Sequence, residues 1–564
     1  MTAIQGKDLI GGLRGNPRLQ GIAALILLLP PVFFLFPVPI DETRYLAVAW
    51  NMHLSGQWLV PWLDGAPYSD KAPLLFWLIN LTWSVTGVHA WAARLLELLL
   101  LLATLPLLAS LGRRLGAGAT AVRASLWLWL GCAAVAVYAG TVMFDMLLTL
   151  CTLVAWRATP ALAGRRWPLA VAAMAVALGA GVLVKGPVAL LVGGVPALLA
   201  PWWLPQARPL VTWLRLLAAL LGAVLLALAW ALPAARAGGT QYADAIFLHQ
   251  TVGRVVQSFA HARPWWWYLP ILPAMMLPWV ASVRRGGSAP VPAGGVVDRF
   301  MAAAFVPAFV LFSLISGKQP HYLLPLLPAL ALAGGVRLGA GRWRVVGWRV
   351  GLVLALIGIA VAVGLGRLAV NHAGRIEAIA CGVLIVVVGL SFIMERRTTS
   401  LPVDRAALGM LAALLLCKLA FVLGAAPRYD VMAAARRVAA AQQAGVPLLF
   451  AGPQYGLLTF AGRLTAPIPA TANPAAVAAW AHAHPQGWVI TNEPDYHYPA
   501  TPLYRQPYRD GSLRIWRAGD LTGAASAPPL TQTLSDYPTS PARCPPRTCP
   551  MRATSPRAAT GNGP

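Results

Sequence analysis

Acidic residues are scarce in this sequence: 18 Asp and Glu stand against 44 Lys and Arg, and charged residues make up only 11% of the 564 positions. In soluble globular proteins about a quarter of the residues are charged and roughly half are apolar. Here 58% of the residues are apolar and the mean hydropathy is +0.65. This composition excludes an ordinary soluble protein and predicts an all-α polytopic membrane protein.

Cysteine is also infrequent, and its six positions have no metal-binding spacing. Four of them lie in apolar runs, where a small buried thiol is the expected role, and only Cys544 and Cys549 are placed to pair with each other. The spacing therefore indicates no zinc site. The net charge of +26 comes mostly from short Lys and Arg clusters between apolar runs, which is typical of membrane topology rather than of nucleic-acid binding.

Apolar runs of membrane-spanning length recur up to residue 425. A helix of about 20 apolar residues is long enough to cross the hydrocarbon core of a bilayer. On this basis we place about thirteen crossings. They cover residues 19–38, 91–112, 122–140, 142–158, 168–184, 186–204, 211–232, 266–283, 300–316, 320–338, 346–368, 376–394 and 406–425.

Arginine clusters set the expected orientation, because cytoplasmic loops are rich in Lys and Arg. The basic N-terminus leads into an apolar run with no small-residue cleavage site before Asp41, so we expect a retained signal anchor with a cytoplasmic N-terminus. Five later arginine clusters then also fall in cytoplasmic loops. The extracytoplasmic side receives residues 39–90, the loop 233–265, the Lys318 region and the chain after 425.

The first outer loop is expected to carry juxtamembrane helices. One helix is predicted to start near Thr43. The apolar segment 72–88 is interpreted as a second helix that lies at the membrane interface, because counting it as a crossing would invert every later loop.

The pattern changes after the last apolar run. Residues 1–425 are predicted to form the transmembrane domain, and residues 426–520 a small extracytoplasmic α/β domain. Within that domain, RYDVMAAARRVAAAQQAG and ANPAAVAAWAHAHPQG predict helices, and VPLLFAG, WVITN and SLRIWRA predict strands. Residues 521–564 have no periodicity and are predicted to be a disordered tail.

The loop segment 39–73 places charge directly after an apolar span. Two adjacent carboxylates, Asp41 and Glu42, cost several kcal/mol at a membrane boundary unless they are paired or hydrated. They therefore indicate a functional site. The alternative is a hydrated loop whose acids only cap the juxtamembrane helix.

The predicted topology gathers further charged residues on the same outer face. Taken singly, each has a structural explanation: Lys185 can snorkel to the interface, and Asp145 can cap a helix. Taken together, cations beside apolar surface suit a lipid-linked phosphate, and a nearby carboxylate suits activation of an acceptor hydroxyl. The residues on this face are Asp41, Glu42, Arg44, Asp70, Lys71, Asp145, Lys185, His249, Arg254, Lys318 and Tyr322.

Several motifs in order resemble one family. The sequences IDETRYLAVAWNMHLSGQWLVP, PYSDKAPLLFWL, VHAWAARLLELL, MFDMLLTL, LVKGPVAL and FSLISGKQPHYLLPLLPALAL are similar to those of the bacterial GT-C glycosyltransferases. Within that class the resemblance is greatest to the aminoarabinose transferases that modify lipid A, and protein O-mannosyltransferases are more distant. The match runs from about residue 20 to 340, and the C-terminal α/β domain resembles the family in placement only.

The resemblance implies a GT-C fold and the transfer of a sugar, such as 4-amino-4-deoxy-L-arabinose, from an undecaprenyl-phosphate carrier. The acceptor would be lipid A or another molecule at the periplasmic face of the bacterial inner membrane. Asp41 matches the candidate base, and Glu42 and Asp145 are further catalytic candidates. Lys318 is another candidate. The residues matched to the donor phosphate are Arg44, Tyr68, Lys71, Lys185, Arg254 and Tyr322.

A divalent metal, Zn or Mg or Mn, is a candidate cofactor by the same resemblance, and its ligands would map to Asp70 and His249. The chain departs from the family here, with Asp70 in place of Glu and Ala72 in place of Pro. Two ligands are also too few for a closed zinc site.

Three other functions remain open at this point. One is protein O-mannosyltransferase-like transfer to protein. Another is a transporter or flippase for a lipid-linked sugar, although such proteins commonly show repeated halves and only one broken helix is evident, at Lys185 to Pro187. The third, an oligosaccharyltransferase, would need a WWDYG-like motif, and WWWY at 265–268 lacks the acid.

Overall fold

A computed structural model describes residues 16–247, 262–286, 295–395, 400–493, 498 and 500–521. Within these residues the chain forms two compact units. The first contains the chain up to Glu42 and Ser69–Asp430; the second contains Thr43–Tyr68 and the chain from Val431. The division after Asp430 lies a few residues from the predicted domain boundary, and part of the first outer loop belongs to the second unit.

The first unit is almost entirely helical. Its α-helices are Pro17–Leu28, Pro30–Phe34, Leu74–Thr86, Ala90–Arg114, Ala119–Leu130, Ala133–Tyr138, Phe144–Leu162, Trp167–Lys185, Val188–Leu198, Ala200–Trp203, Pro209–Gly238, Thr240–Asp244, Tyr268–Met275, Trp279–Ser282, Val296–Leu314, Leu327–Gly339, Gly347–Leu368, His372–Met394 and Val403–Ala420. Short 3-10 or π turns are Trp265–Trp267, Pro320–Leu326, Phe421–Ala425 and Ala426–Arg428. Its strands are Val283–Arg285 and Trp343–Val345.

Nine helices in the described part of the chain are long and apolar enough to cross a membrane. Each coincides with one of the predicted crossings, so the expected polytopic helical fold is confirmed. The nine are Pro17–Phe34, Ala90–Arg114, Trp167–Lys185, Pro209–Gly238, Val296–Leu314, Pro320–Gly339, Gly347–Leu368, His372–Met394 and Val403–Arg428.

The four remaining predicted crossings differ from single long apolar helices. Those predicted at 122–140, 186–204 and 266–283 are each broken into shorter helices. The first break lies at Gly131, where a built Cβ would lie 2.7 Å from Ala407 Cα, so the close packing there requires glycine. The crossing predicted at 142–158 is the 19-residue helix Phe144–Leu162, which carries Asp145 in its first turn.

The juxtamembrane helices are also present. The helix Asp41–Ser55 begins two residues before the predicted start at Thr43, with both acids in its first turn. There they interact favourably with the positive end of the helix dipole. The segment predicted at 72–88 is the 13-residue helix Leu74–Thr86, which is too short to cross a bilayer of ordinary thickness.

The second unit contains a five-stranded mixed sheet with helices Met432–Gln443 and Pro474–Ala483 and the 3-10 turn Ala518–Leu521. The strands lie in the order Ala470–Thr471, Leu448–Ala451, Trp488–Thr491, Gly511–Arg517, Tyr504–Tyr508. The first three strands pair in parallel, and Gly511–Arg517 is antiparallel to both of its neighbours. The two helices and three strands predicted here are all found.

A tight hairpin from the first outer loop belongs to this second unit. Strands Trp62–Leu63 and Ala66–Pro67 are joined by Asp64 and Gly65, which both have positive φ, 52° and 85°. Asp64 Oδ2 accepts a hydrogen bond from the Gly456 N–H at 3.0 Å, whereas its Oδ1 is buried and has no hydrogen-bond partner among the described residues. Burial therefore raises the pKa of the Asp64 carboxyl to about 7.

This pKa predicts a pH-dependent stability. The pKa of Asp64 in the folded chain lies above its unfolded value of 3.8, so the folded state binds the proton more tightly than the unfolded state. The protonated acid therefore adds to the free energy of unfolding, and this contribution is lost as the pH rises from about 4 through 7. Asp64→Asn mimics the protonated acid at every pH. We expect the thermal midpoint of the full chain in detergent to be higher for this variant than for the parent at pH 8, and the two to converge at low pH.

Asp510→Asn provides the matched control, since Asp510 lies on the exposed turn of the Tyr504–Tyr508 and Gly511–Arg517 hairpin. The difference in thermal midpoint between Asp510→Asn and the parent should be the same at pH 8 and at low pH. If the thermal midpoints of Asp64→Asn and the parent differ by the same amount at pH 8 and at low pH, the Asp64 charge is not buried.

Candidate functional site

A buried ion pair joins two helices of the first unit. Asp145 lies in the first turn of Phe144–Leu162, and Lys185 is the last residue of Trp167–Lys185. Lys185 Nζ donates to Asp145 Oδ1 at 2.5 Å, and the Asp145 side chain is only 2% exposed. The acid is at a helix N-terminus and the base at a helix C-terminus, so both helix dipoles add to the attraction. Gly186, with φ of 70°, then ends the second helix.

The turn Pro320–Leu326 places two aromatic side chains against this pair. Lys185 Nζ lies 4.2 Å from the centroid of the Tyr322 ring, a cation–π contact. His321 Nε2 lies 3.8 Å from the second oxygen of Asp145. The buried Tyr268 donates its hydroxyl to the carbonyl of Gln319 at 3.0 Å and so supports the start of the turn.

His321 is the point where the predicted site residues converge. Its ring lies in the electrostatic field of Asp145, Lys185, Asp41 and Lys71, which come from four segments that are distant in sequence. The Tyr138 ring packs edge-on against His321 at 5.9 Å between centroids, and Asp41 and Asp145 also act on this tyrosine. The first unit therefore brings two carboxylates and two cations within electrostatic range of one histidine.

A second buried ion pair holds the other acid of the first loop. Glu42 accepts from Arg94 Nε at 2.8 Å and from Nη2 at 2.9 Å, and both side chains are almost fully buried. Glu42 also accepts the Val38 N–H at 2.8 Å, while Arg94 donates to the carbonyls of Leu35 and Phe36. Because both of its oxygens are occupied, the geometry favours a structural role for Glu42 over the predicted catalytic one.

Three titratable side chains hold the backbone that leads into the Asp145 helix. Lys418 donates to the carbonyl of Ala139 at 2.7 Å. The N–H groups of Val142 and Met143 are directed at Glu42, at 3.5 Å, and Glu97, at 3.3 Å. This segment lies between two helices and pairs with no strand in the described part of the chain, so these contacts fix where the Asp145 helix begins.

Four residues of this arrangement had no role in the sequence-based prediction: Arg94, Glu97, His321 and Lys418. Arg94 and Glu97 lie in VHAWAARLLELL, and His321 lies in the GKQPHYLL motif. The available signal was a charged residue inside an apolar run, which is costly unless it is paired. Sequence could not indicate the partners, because the Glu42–Arg94 contact joins residues 52 positions apart.

Other predicted residues have different surroundings. Arg44 and Tyr68 belong to the second unit, where the Arg44 guanidinium lies 5.8 Å from the Tyr455 ring centroid and the Tyr68 N–H donates to Pro61 at 2.8 Å. Lys318 is buried and donates to the carbonyls of Arg263 and Ile315, which suits a structural role.

One of the two predicted metal ligands, His249, lies outside the residues that the structure describes. Both His249 and Arg254 fall in 248–261, which the structure does not describe, and Asp70 is exposed. Among the described residues, no three His, Cys, Asp or Glu side chains are grouped closely enough to hold a metal ion. The metal thus stays a prediction.

The Glu42–Arg94 pair can be tested by a double-mutant cycle. Arg94→Leu leaves a buried carboxylate unpaired and should destabilise the protein by about 3–5 kcal/mol. Adding Glu42→Gln removes that charge, so we expect the double variant to recover part of the lost thermal midpoint in detergent. Strictly additive losses would show that the two side chains are not coupled.

Comparisons with known proteins point to one class of enzyme. Residues 70–235 match the family model described as dolichyl-phosphate-mannose-protein mannosyltransferase. This range contains Lys71, Asp145 and Lys185.

Curated relatives are similar over a longer range. An undecaprenyl phosphate-alpha-4-amino-4-deoxy-L-arabinose arabinosyl transferase of Pseudomonas fluorescens is 30% identical over 353 residues, 59% of this chain and 64% of the relative. The transferase of the same name from Pseudomonas aeruginosa is 32% identical over 332 residues, which cover 55% of this chain and 58% of the relative. The chain thus covers less than two thirds of the length of these relatives.

The fold extends beyond the range of sequence similarity. The structure of ArnT from Cupriavidus metallidurans bound to undecaprenyl phosphate superposes with a TM-score of 0.69 over 88% of this chain and 97% of that chain, at 18% identity. Its apo form superposes equally well, over 90% and 98%. The resemblance predicted from the motifs is confirmed: this multi-pass membrane chain has the fold of ArnT and is similar in sequence to the aminoarabinose transferases of the GT-C class.

Proposed function

We propose that this chain is a membrane glycosyltransferase that moves a sugar from an undecaprenyl-phosphate carrier to lipid A or another acceptor. The names of its relatives make 4-amino-4-deoxy-L-arabinose the first sugar to test. The observation that carries the proposal is the convergence of Asp41, Lys71, Asp145 and Lys185 on His321.

The donor side of this reaction needs cations rather than an acid. The leaving group is a phosphate ester that departs ionised, so stabilisation of its charge is sufficient. Lys185 and Lys71 are assigned to this task, and Tyr322 orients the Lys185 ammonium through its ring face. The assignment of Arg44, Tyr68 and Arg254 to the same phosphate rests on the family resemblance alone.

Asp41 is assigned as the base that accepts the proton of the acceptor hydroxyl. An acceptor hydroxyl oxygen attacks the anomeric carbon while the bond from that carbon to the phosphate oxygen breaks. The electron pair leaves with undecaprenyl phosphate, and the hydroxyl proton passes to the Asp41 carboxylate. If the acceptor is itself a phosphate, no base is needed, and Asp41 would position it or support positive charge on the sugar.

The other two acids are assigned as positioning residues. Asp145 holds the Lys185 ammonium at 2.5 Å, and Glu42 is fully engaged by Arg94. A metal ion bound by Asp70 and His249 has no place in the proposed steps, since two ligands do not make a closed site and Asp70 is exposed.

The orientation belongs to the proposal as well. We place the N-terminus in the cytoplasm of a bacterial cell, the chain in the inner membrane, and the reaction at the periplasmic face. Residues 426–520 would form the periplasmic domain, and 521–564 a tail. The arginine clusters between the candidate spans support this orientation.

The direct test is a transfer assay with the full chain purified in detergent. Undecaprenyl-phosphate aminoarabinose and lipid A are supplied, and the acceptor is examined for the mass of one added sugar. Asp41→Asn should lower the rate by roughly 100-fold or more if the acceptor is a hydroxyl, because general-base catalysis contributes that much. Asp510→Asn, in an exposed turn, should leave the rate unchanged.

The outcomes separate the alternatives. Transfer to a protein hydroxyl but not to lipid A would favour the mannosyltransferase-like function. Donor binding and its movement across a vesicle membrane without transfer would favour a transporter. Normal turnover by Asp41→Asn would remove this residue from the mechanism.

Lys185 can be tested without leaving a buried charge unpaired. The double variant Lys185→Met with Asp145→Asn removes both partners. A charge-assisted contact to phosphate contributes about 1.5–3 kcal/mol, so the KM for the donor should rise roughly 10-fold to 100-fold. Lys185→Arg keeps the charge and should show a smaller change; an unchanged donor KM in the double variant would contradict the assignment.

A further inference from the structure

A short β-ribbon in the first unit carries an unusual concentration of arginine. Its antiparallel strands are Val283–Arg285 and Trp343–Val345, and their register places Arg284 directly opposite Arg344. A hydrogen bond from the Gly286 N–H to the Arg342 carbonyl, at 2.5 Å, extends the ribbon by one more position.

Alternation along the strands puts three arginines on one face. Residues that are directly opposite, or two apart on one strand, share a face of a ribbon. Arg284, Arg342 and Arg344 therefore form what we call the arginine face. The other face carries the Val283 and Val345 pair and, opposite Trp343, the exposed Arg285; Val345 is 1% exposed. Arg284 and Arg344 are both exposed.

Like charges directly opposite each other on a ribbon are destabilising. Within the described ranges, none of the three arginines forms an ion pair with a carboxylate. Two acids of the same unit pair with other arginines: Asp298 with Arg337 at 2.7 Å, and Glu395 with Arg405 at 2.7 Å. The face thus concentrates positive charge that the described part of the protein does not neutralise.

The position of the ribbon indicates where a counter-charge is available. The strand Trp343–Val345 connects two candidate spans, because Pro320–Gly339 ends just before it and Gly347–Leu368 begins just after it. The ribbon therefore lies at the depth where helices leave the hydrocarbon. Trp348, 49% exposed at the start of the second span, is typical of that interface.

We propose that the arginine face binds the phosphate of anionic phospholipid headgroups. Guanidinium groups bind phosphate oxygens through paired N–H donors, and two of them on opposite strands can hold one phosphate between them. The bound phosphate removes the repulsion between Arg284 and Arg344. A lipid is favoured over a soluble anion because the ribbon is fixed at the end of two spans, where headgroup phosphates are concentrated.

The test compares lipid binding by the full chain with that by a double variant, which carries Arg284→Gln and Arg344→Gln together. The protein in neutral detergent is titrated with phosphatidylglycerol or phosphatidylcholine, and bound lipids are counted by native mass spectrometry. We expect the apparent affinity for phosphatidylglycerol to fall by on the order of tenfold or more in the double variant, while that for phosphatidylcholine stays the same.

Arg367→Gln with Arg375→Gln is the matched control. It removes two exposed arginines near the junction between Gly347–Leu368 and His372–Met394, away from the ribbon, and should leave the phosphatidylglycerol affinity unchanged. A loss of equal size in both double variants would overturn the proposal, because it would reflect net charge alone.

Thermal unfolding provides a second measurement. Without lipid, the Arg284→Gln and Arg344→Gln variant should be at least as stable as the parent, since a repulsion has been removed. Phosphatidylglycerol should raise the midpoint of the parent and not that of the variant. Equal stabilisation of both proteins, or the same stabilisation of the parent by inorganic phosphate, would overturn the proposal.

Discussion

The pairing of buried charges is the constraint on which the helical unit depends. An unpaired carboxylate or guanidinium in an apolar interior costs several kcal/mol, whereas a well-formed pair recovers most of that cost. The pairs Glu42–Arg94 and Asp145–Lys185 each join segments that are distant in sequence. Each pair can form only if its segments are neighbours, so the pairs restrict how the helices can be arranged.

The same constraint accounts for the backbone that leads to Asp145. Non-helical backbone at membrane depth leaves peptide groups without partners, and this is tolerated only where protein groups supply them. Here Lys418 binds the Ala139 carbonyl, while Glu42 and Glu97 face the next amides. Glu42 and Glu97 thus serve the backbone. Asp41 is a different acid, and its charge acts on the Tyr138 and His321 rings.

The first outer loop is divided between two structural roles. Its acids Asp41 and Glu42 belong to the helical unit, whereas Thr43–Tyr68 belongs to the unit with the mixed sheet. The hairpin at Asp64 shows the consequence, because its carboxylate accepts a hydrogen bond from a residue 392 positions later. A motif that is continuous in sequence thus contributes to two separate cores.

Sequence alone determined the class of the fold and singled out several residues of the candidate site. Composition and apolar runs identified the polytopic membrane protein, and the positions of Asp41, Lys71, Asp145, Lys185 and Tyr322 could be singled out because charge and phenol groups are conspicuous among apolar residues. The two helices and three strands predicted after residue 425 also follow from local periodicity, which depends only on neighbouring residues.

Tertiary structure decided everything that depends on partners. The crossings predicted at 122–140, 186–204 and 266–283 are broken at Gly131, before Pro201 and at Pro278, and hydropathy does not register these breaks because the runs stay apolar. The roles of Arg94, Glu97 and His321 became visible only when their neighbours were known. Burial and pairing are properties of distant segments brought together, so no local pattern in the chain encodes them.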